Sequence, residues 1–220
     1  MLDYLNDIDT TLLLAINGWH GTFQDAFWWL VSAKWSSALL VLALVWILLH
    51  QNRRHALLVL AMIVLAFVLA DQLSSGLIKH LVERLRPTRD PSLNHLVHIV
   101  NDYRGGMFGF VSSHAANSFA AATLITLVMR RWIIGVSLFA WSLMQCYSRV
   151  YMGVHYPGDI LGGIVVGLLV GWLVGLLLRW LLRRYRVSTG HYTATHAAVM
   201  GMAAIVTVIA IAAVALSQAG

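Results

Sequence analysis

Long apolar runs leave this 220-residue chain few ways to fold. They fall at residues 35–50, 55–81, 113–129, 132–147, 157–182 and 196–216. Most approach the roughly 20 residues a helix needs to cross a hydrocarbon core about 30 Å thick. In lipid, backbone N–H and C=O groups find no water, so a segment of this kind must bond to itself as a helix. The chain is 60% hydrophobic and 11% charged, whereas soluble domains carry about a quarter charged residues. The expectation is an integral membrane protein, all-α, built as a six-span transmembrane helical bundle. Two weaker helical patterns precede the spans, at 4–17 and 22–32, separated by Gly18-Trp19-His20-Gly21. Their mixture of Trp, Phe and Asp suits helices lying at the membrane interface; the second could instead lengthen the first span. No Gly/Ser or Pro-rich linker and no repeat divides the chain, so one domain is expected over 1–220, with 1–34 interfacial and 35–220 the core. The first nine residues hold Asp3, Asp7 and Asp9 and no basic residue, unlike a cleavable signal peptide.

Basic residues orient the bundle. Arg53, Arg54, Arg130, Arg131, Arg179, Arg183, Arg184 and Arg186 fall at one set of span ends, and Lys34, Lys79, Arg84, Arg86, Arg89, Arg104 and Arg149 at the other. The eight-to-seven division becomes eight to four once Lys79, Arg86 and Arg149 are set aside as ligand-binding groups. The first set is therefore expected in the cytoplasm. The net charge of +6 follows from span-end residues and anion binding, and no nucleic-acid partner is expected.

Three polar clusters then share the outer face: Lys79 to Arg86-Pro87; Ser112-Ser113-His114; and Ser148-Arg149 with His155 and Asp159. Such groups are expensive in a membrane unless they pair or do chemistry. Lys79, Arg86 and Arg149 supply cations for a phosphate, Ser112 a hydroxyl, and Ser113 and His114 open a helix whose free N–H groups favour an anion. Asp159, four residues after His155, can reach its imidazole, fix the tautomer and leave the second ring nitrogen to attack phosphorus. His114 can protonate the leaving oxygen and then activate water. Each feature has a plainer reading: a basic residue at a span end as a snorkelling anchor, His155 with Asp159 as a helix cap, His114 as an interfacial histidine.

Ten histidines raise the question of a metal, with His95 and His98, or His50 and His55, as conceivable ligands. There is no H-E-x-x-H, no acidic cluster, and only one cysteine, Cys146; metal-independent chemistry with no cofactor is expected.

Lys79-x6-Arg86-Pro87, Ser112-Ser113-His114 and Ser148-Arg149-x5-His155-x3-Asp159 resemble the three signatures of the type 2 phosphatidic acid phosphatase superfamily. The middle signature departs from the family's Pro-Ser-Gly-His, with Val111 and Ser113 replacing proline and glycine. The resemblance implies a six-span lipid phosphatase in which His155 is the nucleophile, Asp159 its orienting partner and His114 the general acid. It implies that Lys79, Arg86, Ser112, Ser113 and Arg149 bind phosphate. It further implies a bacterial inner-membrane enzyme, its site facing the periplasm or exterior. Undecaprenyl diphosphate is then the first-choice substrate; phosphatidylglycerol phosphate, phosphatidic acid and lipid A phosphates are alternatives. A non-catalytic anionic-lipid binder or transporter, using the same cations, is the reading from another class.

Three features remain open in the sequence. Gly163, Gly167, Gly171 and Gly175 line one helix face, for packing inside the bundle or for a homodimer. Asp71 lies two turns below Lys79, a candidate for function or for bonding Ser74, Ser75 or a neighbouring helix. The long connection 82–112 either caps a site or merely covers the bundle.

Overall fold

The computed structural model describes residues 2–220. Met1 and the side chain of Asp3, counted above among the N-terminal acids, lie outside the described residues. Among the described residues the architecture is all-helical: α1 (Leu2–Asn17), α2 (Thr22–Ser32), α3 (Ala38–Leu49), α4 (Arg53–Val82), α5 (Ser113–Met129), α6 (Trp132–Tyr151), α7 (Pro157–Arg184) and α8 (Ala194–Ala219). An isolated antiparallel bridge, Leu85 to Phe108, is the extended pairing present.

Local chemistry marks the helix ends. Asn52 accepts from the Arg54 N–H at 3.0 Å to start α4, Ser112 precedes α5, and Pro157 occupies the first turn of α7, where a missing N–H costs nothing. Glu83 and Arg130 end α4 and α5 in left-handed conformations, with φ of 50° and 51°.

Among the described residues, three helices are long and apolar enough to cross a membrane: α4, α7 and α8. The expected six spans are thus matched in part. α3 has 12 residues, about 18 Å at 1.5 Å per residue, and α5 has 17. α6 runs to Tyr151, one turn beyond the expected 132–147, because Ser148 and Arg149 continue the helix instead of ending it. α2 does not lengthen α3: the chain turns through residues 33–37, and the Ser36 hydroxyl donates to the Val31 carbonyl at 2.8 Å.

The glycine row of α7 settles into α5. A Cβ at Gly163, Gly167 or Gly171 would lie 2.4, 2.5 and 2.5 Å from the carbonyl oxygens of Ser112, Ala116 and Ala120. Only residues without a Cβ allow this backbone approach, so the row serves packing inside the chain. α8 lies along α2, α3 and α6, and α1 rests on α6 and α7. The main apolar core, including Ile47, Val59, Leu124, Ile134, Leu178 and Met200, runs through the bundle below the polar clusters.

Candidate active site

The connection from 82 to 112 is folded onto the bundle, and it delivers side chains to the polar clusters. The Arg86 N–H donates to Met107 O at 3.1 Å and the Gly109 N–H to Arg84 O at 2.8 Å. Thr88 Oγ1 donates to Arg104 O at 2.8 Å. α1 anchors this layer through Asn17, whose amide donates to His98 O at 2.9 Å and to Tyr151 O at 2.7 Å.

His155 and Asp159 are fully buried. His155 Nδ1 stands 3.2 Å from Asp159 Oδ2, which also accepts the Tyr156 N–H at 3.1 Å. The other ring nitrogen, His155 Nε2, is buried without a hydrogen-bond partner. Burial, then the charges of Arg86, Arg149 and Lys79, hold the imidazole well below its ordinary pKa, so it stays neutral. Neutral imidazole with one nitrogen held and the other free is a nucleophile's arrangement.

The cations come from three elements. At the end of α4, Lys79 Nζ donates to Ser113 Oγ at 2.9 Å. A π-helical stretch, Gln72–Ile78, immediately precedes Lys79 and turns that end of the helix. Arg86 is buried; its Nε donates to Phe108 O at 3.1 Å, and Nη1 reaches Val154 O at 3.4 Å. Burial first, then repulsion from Arg149, lowers its pKa to about 10, still cationic at neutral pH. Arg149 donates to Ser32 Oγ at 2.6 Å and to the Tyr103 hydroxyl at 3.3 Å, while its Nε is buried without a partner. Ser112 is buried before α5, with its Oγ 3.5 Å from the Ala115 N–H and its own N–H on Asp159 O at 2.9 Å. His114, on the first turn of α5, is exposed. Its surroundings nonetheless include the charges of Arg149, Arg86 and Lys79, and His155. All eight residues singled out in the sequence therefore lie at one end of the bundle. Ser148, from the same signature, turns away and donates to Gln145 O at 2.7 Å.

Residues 60–186 match the PAP2 superfamily. The chain belongs to this family. Relatives agree along most of its length. A lipid A 4'-phosphatase of Bacteroides thetaiotaomicron is 40% identical over 166 residues, covering 74% of this chain and 73% of that protein. A lipid A 4'-phosphatase of Porphyromonas gingivalis is 33% identical over 163 residues, covering 74% and 69%. The fold is similar to the crystal structure of Aquifex aeolicus LpxE, with TM-score 0.58 and 24% identity over 74% of this chain and 92% of that one. It is also similar to a transmembrane PAP2-type phosphatidylglycerolphosphate phosphatase from Bacillus subtilis, with TM-score 0.59 and 22% identity over 84% and 88%. This PAP2 protein is an integral membrane lipid phosphatase, a hydrolase acting on phosphoric esters.

Four neighbours of the PAP2 signatures escaped sequence reasoning. Arg84 Nη1 lies 3.2 Å from Asp159 Oδ1 and 2.7 Å from Asp9 Oδ2; Ser32 and Tyr103 hold Arg149. Arg84, two residues before Arg86, had counted only as a basic loop residue. Asp9, Ser32 and Tyr103 carry no local pattern and meet the site only through folding. The long connection is thus part of the site's wall. Asp71 accepts from Ser75 Oγ at 3.3 Å, one of the bonds expected for it. Among the described residues no group of three or more His, Cys, Asp or Glu is placed to hold a metal ion. His98 instead meets Asp25 at 3.0 Å, and His55 meets the Tyr192 hydroxyl at 2.9 Å.

Proposed function

We propose that this enzyme removes a phosphate from lipid A through a phosphohistidine on His155. The observation that carries the mechanism is the division of the His155 ring: Nδ1 on Asp159 and Nε2 buried and free. Nε2 attacks phosphorus, forming an N–P bond as the P–O bond to the lipid breaks. His114 gives its proton to the leaving oxygen, releasing the lipid hydroxyl. It then takes a proton from water as the water oxygen attacks phosphorus, the N–P bond breaks and inorganic phosphate leaves. Lys79, Arg86, Arg149, Ser112 and Ser113 hold the equatorial oxygens, where charge accumulates in the transition state. Asp159 keeps the proton of His155 on Nδ1.

The substrate preference moves from undecaprenyl diphosphate to the lipid A alternative. Both curated relatives, 40% and 33% identical, are named lipid A 4'-phosphatases, and the 4'-phosphate is the ester proposed here. The lipid tails remain in the bilayer while the phosphate enters the cationic end. The proposal includes a single domain with six crossings, α3, α5 and α6 completing the set, in a bacterial inner membrane with the cationic end periplasmic. The charge asymmetry supports that orientation.

The test is phosphate release by purified protein from lipid A, undecaprenyl diphosphate, phosphatidylglycerol phosphate and phosphatidic acid, with mass spectrometry of the products. Lipid A should lose one phosphate fastest, and His155→Ala should lose the activity. Faster turnover of undecaprenyl diphosphate would refute the substrate assignment, and wild-type turnover by His155→Ala would refute the mechanism.

A further inference from the structure

We infer that Asp9 and Arg84 form a relay that positions Asp159 against His155, making α1 part of the catalytic apparatus; this rests on the phosphatase mechanism proposed above. Asp9 lies outside the 60–186 stretch that matches the PAP2 superfamily, so the family signatures do not contain it.

The relay is continuous. Arg84 Nη1 bridges two carboxylates, Asp9 Oδ2 at 2.7 Å and Asp159 Oδ1 at 3.2 Å. Asp159 Oδ2 continues to His155 Nδ1 at 3.2 Å. The other oxygen of Asp9 accepts the Gly158 N–H at 2.6 Å, at the first turn of α7, where a negative charge is favoured. A Cβ on Gly158 would stand 2.7 Å from Asp9 Oδ2, so glycine lets the carboxylate approach. The Arg84 guanidinium also lies over the Tyr156 ring, 3.9 Å from its centroid. The Asp9 carboxylate and the Tyr156 ring thus fix Arg84 before it meets Asp159.

Geometry and charge both explain the need. Asp159 is fully buried, and a carboxylate there is costly unless each oxygen is paired. Arg84 pins Oδ1, which stops rotation of the carboxylate and keeps Oδ2 on the imidazole. An arginine bound to Asp159 alone would draw charge from the bond to His155. Asp9, closer to the shared nitrogen, offsets that cation. Neither Arg84 nor Asp9 contacts His155 Nε2, so they act through Asp159 as positioning residues.

The alternative is a clamp that only fastens α1 to the bundle. Full-length Arg84→Ala, Arg84→Lys, Asp9→Asn and the Arg84→Ala/Asp9→Asn double variant separate the two. For a relay, Arg84→Ala lowers kcat about a hundredfold, the scale of a misplaced catalytic group, and KM stays within about threefold. Asp9→Asn lowers kcat less, and adding it to Arg84→Ala costs little more, since the two act as a unit. Arg84→Lys recovers part of kcat. The 15N spectrum of His155 provides a readout independent of turnover. Wild type shows one tautomer protonated at Nδ1, and Arg84→Ala shows a mixture. A lowered melting temperature with unchanged kcat and an unchanged imidazole spectrum would overturn the relay and leave a clamp. Absence of wild-type turnover would count against the phosphatase mechanism, while the imidazole spectrum would still decide the relay.

Discussion

Lys79 donates to Ser113 Oγ at 2.9 Å, tying the end of α4 to the start of α5. Ser113 occupies the place where the family signature has glycine, and its hydroxyl holds the ammonium over the helix start. Ser113→Ala should release Lys79. The lost bond to a charged group, about 1.5 kcal/mol, corresponds to about a tenfold rise in KM for the lipid phosphate. Steady-state kinetics of the two proteins checks this, and an unchanged KM would show that the tether does not matter for binding.

His114 and His155 should fail differently. His155→Ala should leave only background hydrolysis and no labelled protein. His114→Ala should slow turnover by about 10²–10⁴, the usual contribution of a general acid, yet still form phosphohistidine with a substrate whose leaving group needs no proton. Acid-labile, base-stable 32P labelling of each variant makes the comparison. Labelling of His155→Ala would point to another nucleophile.

Stability should depend on pH through His155. Its folded pKa is depressed by burial and by Arg86 and Arg149, so below about 6.5, the ordinary imidazole value, the unfolded chain binds a proton that the folded one refuses. The stabilising contribution is fully present above that pH and declines as the pH falls toward the folded pKa. Melting temperatures measured from about pH 8 down to about pH 5, a window that spans a histidine titration, should fall more steeply for wild type than for His155→Gln.

The α5–α7 seam should tolerate no added carbon. A Cβ at Gly167 would sit 2.5 Å from the backbone oxygen of Ala116, while at Gly106 nothing lies within 4 Å. Gly167→Ala should cost about 1–3 kcal/mol through forced backbone separation, and Gly106→Ala should be near neutral. Thermal unfolding in detergent compares them. Because the seam sets the distance between Ser112 and Asp159, Gly167→Ala should also reduce kcat.

Much of the fold was legible because the solvent is severe. A run such as 113–129 has one regular way to satisfy its backbone in lipid, and the structure places α5 at Ser113–Met129. Where polar residues interrupt a run, legibility fell. Ser148 and Arg149 read as a span end, yet α6 continues to Tyr151 because Arg149 finds Ser32 and Tyr103 and needs no water. The segments 4–17 and 22–32 read as separate helices, but nothing in them indicated that Asp9 and Ser32 would face the site.

By itself the sequence determined the helices, the family and the local pair His155–Asp159, because i to i+4 neighbours at a helix start meet whatever the rest of the chain does. Tertiary structure decided the contacts between distant positions: Lys79 with Ser113, 34 residues apart, Arg84 with Asp159, 75 apart, and Arg149 with Ser32, 117 apart. Side-chain hydrogen bonds form within about 3 Å, and the separations that permit them are set by how closely the helices pack. In this chain α7 can lie directly against the α5 backbone because of its glycine row, and that approach brings the start of α5 to Asp159.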